Sequence, residues 1–313
     1  MPNIRKPRRG SLQFWPRKRA RRIRVRSWPK KTEAKLLGFA GYKVGMTHIA
    51  AKDNSPNSLT KNTDIVVPTT IIECPPIKAA SIRFYKNDLP VSQIFAENLD
   101  KDLKRRIAMP KNRKAKEPGD YDDITLIVHT QPRITGIGKK KPEMMEIALG
   151  GKKEDKIKYA KSMLGKEIKI SDIFKEGEQL DFHTITKGKG FQGPVKRFGI
   201  GLKSHRAEKN RRNPGSLGPW CGQGHIMWKV PHAGKMGHHL RTEYNKWLLK
   251  IGAKPEEINP KGGHIRYGLV KTDYLLVKGS VGGPKKGLVK FNHTIRGRKN
   301  IPKEAPQISY TRK

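Results

Sequence analysis

The chain has 313 residues, and 68 lysines and arginines against 27 acids leave it with a formal net charge of +41. Such a surface repels itself and seeks a polyanion; no apolar run approaches the roughly 18 residues of a membrane span and no basic amphipathic helix has a continuous apolar face, so nucleic acid is expected and a membrane is not. Hydrophobic residues make up 35% and mean hydropathy is −0.74, enough for one modest core with much of the chain outside it.

Residues 1–37 read as a basic N-terminal extension. Arg8, Arg9, Arg17, Lys18, Arg19, Arg21 and Arg22 follow one another with no acid before residue 33. A stretch of this kind has too little apolar surface to fold alone and is expected to take shape on phosphates. It lacks the apolar stretch of a secretory signal, and Pro2, Pro7, Pro16 and Pro29 spoil the amphipathic helix of a transit peptide, so a cytoplasmic protein is the simplest reading.

From residue 38 the texture changes. GFAGYKVGMTHIAAKD and DIVVPTTIIECPP, separated by the turn-rich DNSPNSLTKNTD, predict two strands, the second ended by Pro75-Pro76. Residues 77–165 read as an α/β insert of mixed charge. Ile82–Tyr85 and DITLIVHTQP predict strands. SQIFAENLDKDLKRRIAM, with Ser92 as cap and Phe95, Leu99, Leu103 and Ile107 on one face, predicts a helix, and EDKIKYAKSMLG a second ended by Gly165.

Residues 166–292 return to strands. Ile168 and Ile170 alternate, SDIF makes a helical turn capped by Ser171, and EQLDFHTIT alternates again; further on, Trp247, Leu249 and Ile251, then Tyr274 and Leu276, then LVKF do the same. Short strands around glycine turns point to a mainly β fold, a small β-barrel over residues 38–76 and 166–292. The last residues, 293–313, are again a basic tail broken by proline.

Within that second segment, residues 187–235 form a long loop dense in glycine, proline and cations, with Phe191, Phe198, Trp220, Met227 and Trp228 dealt out singly. Cations neutralise phosphates, glycines let the backbone approach closely, and isolated aromatics lie on bases, so this reads as an RNA-binding arm. Lys187, Lys189, Lys196, Arg197, Arg206, Arg211, Arg212 and Lys235 are its expected phosphate contacts, with Phe191 and His205 beside them. Trp220, between Pro219 and Gly222, sits in a stiff turn and reads as a wedge on RNA, whereas Trp228 reads as core.

Catalytic and metal chemistry find no support. Cys221 with His225, His232, His238 and His239 matches no structural zinc spacing, and Glu208 and Glu243 are the only acids between His183 and Lys250, too few for a metal-dependent nuclease. Cys74 and Cys221 read as free thiols. KGKG and GGPKKG lack the phosphate-loop form, so neither nucleotide hydrolysis nor any cofactor is expected.

GFAGYKVGMTH, KGKGFQGPVKRFG, KSHR, PGSLGPW, HIMW, AGKMGHH and KGSVGGPKKGLVKF, in that order, resemble the universal large-subunit ribosomal protein L three family in its archaeal and eukaryotic form. The resemblance implies a six-stranded translation-protein-type barrel interrupted by an α/β insert, a role in subunit assembly, and two basic extensions threading ribosomal RNA toward the peptidyl transferase centre. It places Ser216, Trp220, Cys221 and Gln223 at the loop tip near that centre, with Trp220 as the aromatic finger and Cys221 where eukaryotic members carry histidine. His205 of KSHR matches a histidine that some relatives methylate. The neighbours it implies are ribosomal proteins L fourteen and L twenty-four e.

Overall fold

β-Branched and aromatic residues in alternation make strands the prevailing regular structure of this chain. The computed structural model describes residues 7–110, 117–207, 209–218 and 224–312. In chain order the elements are β1 (Gly38–Lys52), β2 (Asp64–Glu73), β3 (Ile77–Lys86), β4 (Leu89–Phe95), β5 (Asp123–Thr130), β6 (Met144–Ala148), α1 (Lys153–Met163), β7 (Glu167–Ile168), β8 (Gln179–Ile185), β9 (Phe191–Gln192), α2 (Pro194–Phe198), β10 (Gly234–Lys235), β11 (Leu240–Gly252), β12 (Tyr274–Lys278), β13 (Leu288–His293) and β14 (Ile308–Thr311). The fold is therefore mainly β, as expected.

The main sheet runs β13-β8-β11-β12-β2-β1-β14, and β13 also pairs with β1. Along β12 both faces are covered, because successive side chains point opposite ways. On β12, Leu275 and Val277 enter one core with Phe39, Ile72, Phe182 and Phe291, while Tyr274 and Leu276 enter a second with Tyr42, Ile71, Trp247 and Leu249. Pro68 is tolerated inside β2 although it donates no hydrogen bond; it stands opposite His48, and its carbonyl accepts from the Gly279 N–H at 2.7 Å.

The insert builds a second sheet, β4-β3-β5-β6, with β7 also on β3. Its apolar side shares the first core: Ile77, Ala79, Ile82, Phe84, Leu126 and Val128 are buried with Phe39 and Phe291. The expected helix after Ser92 is corrected by β4, which pairs with β3 through a tight turn at Asn87-Asp88. Both turn residues have positive φ, +49° and +59°, the left-handed geometry of a two-residue hairpin, and strand pairing outweighs the helical spacing. Only Lys101–Arg105 remains helical, as a 3-10 turn. The second expected helix is present as α1, with Ala160 buried and Gly165 beyond it at φ +78°. The SDIF turn is a 3-10 helix over Ile170–Asp172; Ser171 is not its cap, since the Asp172 carboxylate accepts the Lys169 N–H at 3.0 Å.

The chain divides into two units. One holds residues 7–22 with 185–241, the other residues 23–184 with 242–312. The N-terminal extension is thus split. Its later part carries Ile23, Leu36 and Leu37, all buried, with Leu36 bridged to Leu149. The C-terminal stretch is not merely a tail, for β14 adds antiparallel to β1.

Candidate nucleic-acid interface

The first unit is built where the arm and the early extension meet. Pro194 opens α2, where a missing N–H costs nothing, and Gly199 closes it at φ +70°, its N–H on the Val195 carbonyl at 2.8 Å. This short helix buries Phe198. Trp15 of the extension stacks on that ring at 5.5 Å and 26° and meets Trp228 edge-on at 5.4 Å. The expectation that the early extension takes shape only on phosphate is corrected: residues 8–20 have an apolar anchor of their own.

Two arginines lock this anchor. Arg197 donates from Nε to the Lys235 carbonyl at 3.1 Å, from Nη1 to that of His232 at 2.9 Å and from Nη2 to that of Arg17 at 3.1 Å. Arg17 answers with Nη1 on the Arg197 carbonyl at 3.1 Å and Nη2 on that of Ser11 at 3.2 Å. Their guanidinium carbons lie 4.3 Å (Arg17) and 5.0 Å (Arg197) from the Phe198 ring centre, within cation–π range. Burial lowers both pKa values, Arg197 and other nearby arginines adding to the effect at Arg17, yet both groups stay charged.

The arm leaves and returns as a narrow ribbon. Phe191 pairs with Lys235 and Gln192 with Gly234, and the ladder continues from the Lys189 N–H to the Met236 carbonyl at 2.9 Å and from the His238 N–H to that of Thr186 at 3.1 Å. At Gly237, φ +75°, an added Cβ would stand 2.0 Å from the Lys187 carbonyl oxygen, so only glycine fits. The extension lies along the ribbon's base: the Ala20 N–H donates to the His238 carbonyl at 2.8 Å, and His239 Nδ1 donates to that of Lys18 at 2.9 Å. Arg241 lies over Phe14 at 4.8 Å. Further out, the Lys203 N–H donates to the Arg211 carbonyl at 3.1 Å and Arg211 Nε to that of Lys203 at 3.3 Å, while Ser216 Oγ accepts the Gly218 N–H at 3.3 Å.

On this frame Arg8, Arg9, Lys18, Arg19, Arg21, Arg22, Lys187, Lys189, Lys196, His205, Arg206, Arg211, Arg212, Ser216 and Lys235 are exposed, and so is Phe191 at 71%. Arg8 Nη2 donates to the Lys229 carbonyl at 2.6 Å. Arg17 and Arg197 are half-buried and directed at main-chain carbonyls rather than outward. Trp220, Cys221 and Gln223 lie outside the described residues. Trp228, expected as core, is 63% exposed and touches Trp15 only by its edge; Phe198, read as free for bases, is the buried ring instead. Sequence reasoning missed Trp15, Phe14 and Arg241, whose partners are distant in sequence; the aromatic pair ahead of Pro16 was the available signal.

The only acid in the sequence of this unit is Glu208, outside the described residues. Among the described residues no three or more histidine, cysteine or acidic side chains are grouped to hold a metal, and no helix is long and apolar enough to cross a membrane. What this surface does chemically is present cations, with the exposed rings of Phe14, Phe191 and Trp228 among them, to a polyanion.

The family model described as ribosomal protein L3 matches residues 1–121 and 116–311. The chain is 44% identical to the large ribosomal subunit protein uL3 of Methanocaldococcus jannaschii, covering 98% of this chain and 96% of that protein. It is 48% identical to the protein of the same name from Archaeoglobus fulgidus, covering 93% and 92%, and 43% identical to that from Methanothrix thermoacetophila, covering 100% and 98%.

Proposed function

The chain belongs to the ribosomal protein L3 family and is a structural constituent of the large ribosomal subunit rather than an enzyme; from that premise we propose how it engages its RNA. It binds large-subunit ribosomal RNA through the first unit. The observation that carries this is a surface of exposed lysines and arginines, free of acids among the described residues, held in place by a hydrogen-bonded aromatic anchor. Arg9, Arg19, Arg21, Arg22, Lys187, Lys189, Lys196, Arg206, Arg211 and Arg212 contact phosphates, Phe191 lies on a base, and Arg17 and Arg197 shape the surface from within.

The main sheet, with β13 pairing to both β8 and β1, supports a six-stranded barrel of β1, β2, β12, β11, β8 and β13, docked on RNA by shape. The tip, with Ser216, Trp220, Cys221 and Gln223, orders RNA near the peptidyl transferase centre, and the extensions neutralise phosphate crowding as the subunit assembles in the cytoplasm beside ribosomal proteins L fourteen and L twenty-four e. Trp220→Ala is expected to permit subunit assembly while altering aminoacyl-tRNA accommodation; an assembly block with normal RNA affinity would remove the tip role.

The direct test is sedimentation of tagged protein from lysate at low and high salt. Co-migration with large subunits that survives salt able to strip loosely held basic proteins is expected. Migration with DNA, or equal affinity of the purified chain for duplex DNA and structured ribosomal RNA at moderate salt, would assign the charge to another polyanion.

A further inference from the structure

Within the second unit, one end of the main sheet presents an exposed face, and docking of the barrel by shape assigns no RNA contact to any of its side chains. Val66, Ala50 and Tyr310 stand opposite one another across β2, β1 and β14, and Val66 and Tyr310 are 71% and 63% exposed. Two and four residues back along β1, on the same side, come His48 and the half-exposed Met46. Beside them opens a cavity of about 310 Å3, whose walls include Met46, His48, His264, Ile265, Lys285 and Arg312 and no acid.

The walls are held by their main chain. The Arg312 N–H donates to the His48 carbonyl at 3.1 Å, and Thr47 Oγ1 to the Arg312 carbonyl at 2.8 Å, which fixes Arg312 at the rim. Lys285, from the GGPKKG turn, donates to the Ile265 carbonyl at 2.7 Å and holds that residue's 77% exposed side chain at the mouth. His264 Nε2 is buried and has no hydrogen-bond partner.

We propose that this cavity takes one unpaired nucleotide of the ribosomal RNA, its base against Met46 and Ile265 and its phosphate on Arg312 and Lys285, with the adjoining base on Tyr310. The proposal rests on the RNA-binding reading above and names a second contact, independent of the arm. Aliphatic walls, cations without acids and an exposed aromatic on one sheet face are the combination that splayed single-stranded bases use. The cavity lies at the small end of ligand sites, roughly 300–1,000 Å3, the scale of a nucleotide rather than of a docked helix. A peptide of matching charge would have to bring acid and apolar groups on separate side chains, whereas one nucleotide carries both.

Large subunits carrying the wild-type chain are irradiated with short-wavelength ultraviolet light, and peptides bearing a ribonucleotide are identified by mass spectrometry. Adducts on peptides containing Met46–His48, His264–Ile265 or Tyr310–Arg312 are expected, with adducts on the arm as internal control. Adducts on the arm alone would overturn the cavity proposal and leave the family's role intact; absence of the chain from large subunits would overturn both. In parallel, subunits carrying Ile265→Asp or Tyr310→Ala, both exposed positions, are mapped by 2′-hydroxyl acylation. One or two nucleotides are expected to become about threefold or more reactive, as loss of a stacking contact implies. An unchanged map, or lysine cross-links from Lys285 to a neighbouring protein across the cavity, would give the face to another occupant.

Discussion

Arg197 aims its guanidinium at the main-chain carbonyls of Arg17, His232 and Lys235, so its fork matters as much as its charge. Arg197→Lys keeps the charge and removes the fork. The arm of the isolated protein is expected to lose about 1–3 kcal/mol of local stability, read as faster limited proteolysis, while the salt dependence of RNA binding stays the same. A protected arm with a shallower salt slope would instead make Arg197 a phosphate ligand. At this scale the sequence was informative about exposure and silent about partners: Arg8 and Arg197 look alike in a basic run, and only Trp15 and the carbonyls around Phe198 separate them.

Among the elements, the β3–β4 hairpin and the arm's ribbon depend on backbone conformations that few residues adopt. Replacing Asn87-Asp88 by Ala-Ala forces two ordinary residues into the left-handed region, costing about 1–2 kcal/mol each; a fall in the urea midpoint with unchanged slope is the expected result, and no change would mean the turn relaxes. Gly237→Ala places a methyl against a main-chain oxygen that cannot move aside cheaply. It is expected to open the ribbon between Thr186 and His239, seen as faster amide exchange of Lys189, Met236 and His238, whose N–H groups form the ladder. Slow exchange at wild-type rates would show that the ribbon shifts to accommodate it. β1, β2, β5 and α1 were legible because their patterns persist over many residues. β4 was not, because Phe95, Leu99, Leu103 and Ile107 match a helical stripe by accident of spacing, while its pairing partner lies across a two-residue turn.

Over the whole molecule, stability is expected to depend on pH through buried imidazoles. Burial holds His129, His183, His239 and His264 below the ordinary histidine value, against the opposing pull of Asp100 at His129 and of the Asn292 hydrogen bond and Asp181 at His183. At His183, enclosed between Asn292 Oδ1 at 2.7 Å from Nε2 and the Thr242 hydroxyl at 3.0 Å from Nδ1, loss of hydration outweighs the support those partners give the charged ring. The unfolded chain therefore takes up protons first, near pH 6.5, and stability is full above that value and falls as pH drops below it. Denaturant midpoints at pH 7.5 and 5.5 check this; an equal or higher midpoint at 5.5 would contradict it.

Composition and local pattern by themselves determined that this chain meets a polyanion and that its ordered part is mainly β, because charge and period are properties of neighbouring residues. Tertiary structure alone decided that Trp15 completes the arm around Phe198, that the extension divides at residue 22, that β14 returns to β1, and that Met46, Ile265 and Arg312 line one cavity. Each of these joins residues far apart in the chain, and such contacts are set by which surfaces remain to be covered once the strands have paired, a quantity no local window contains.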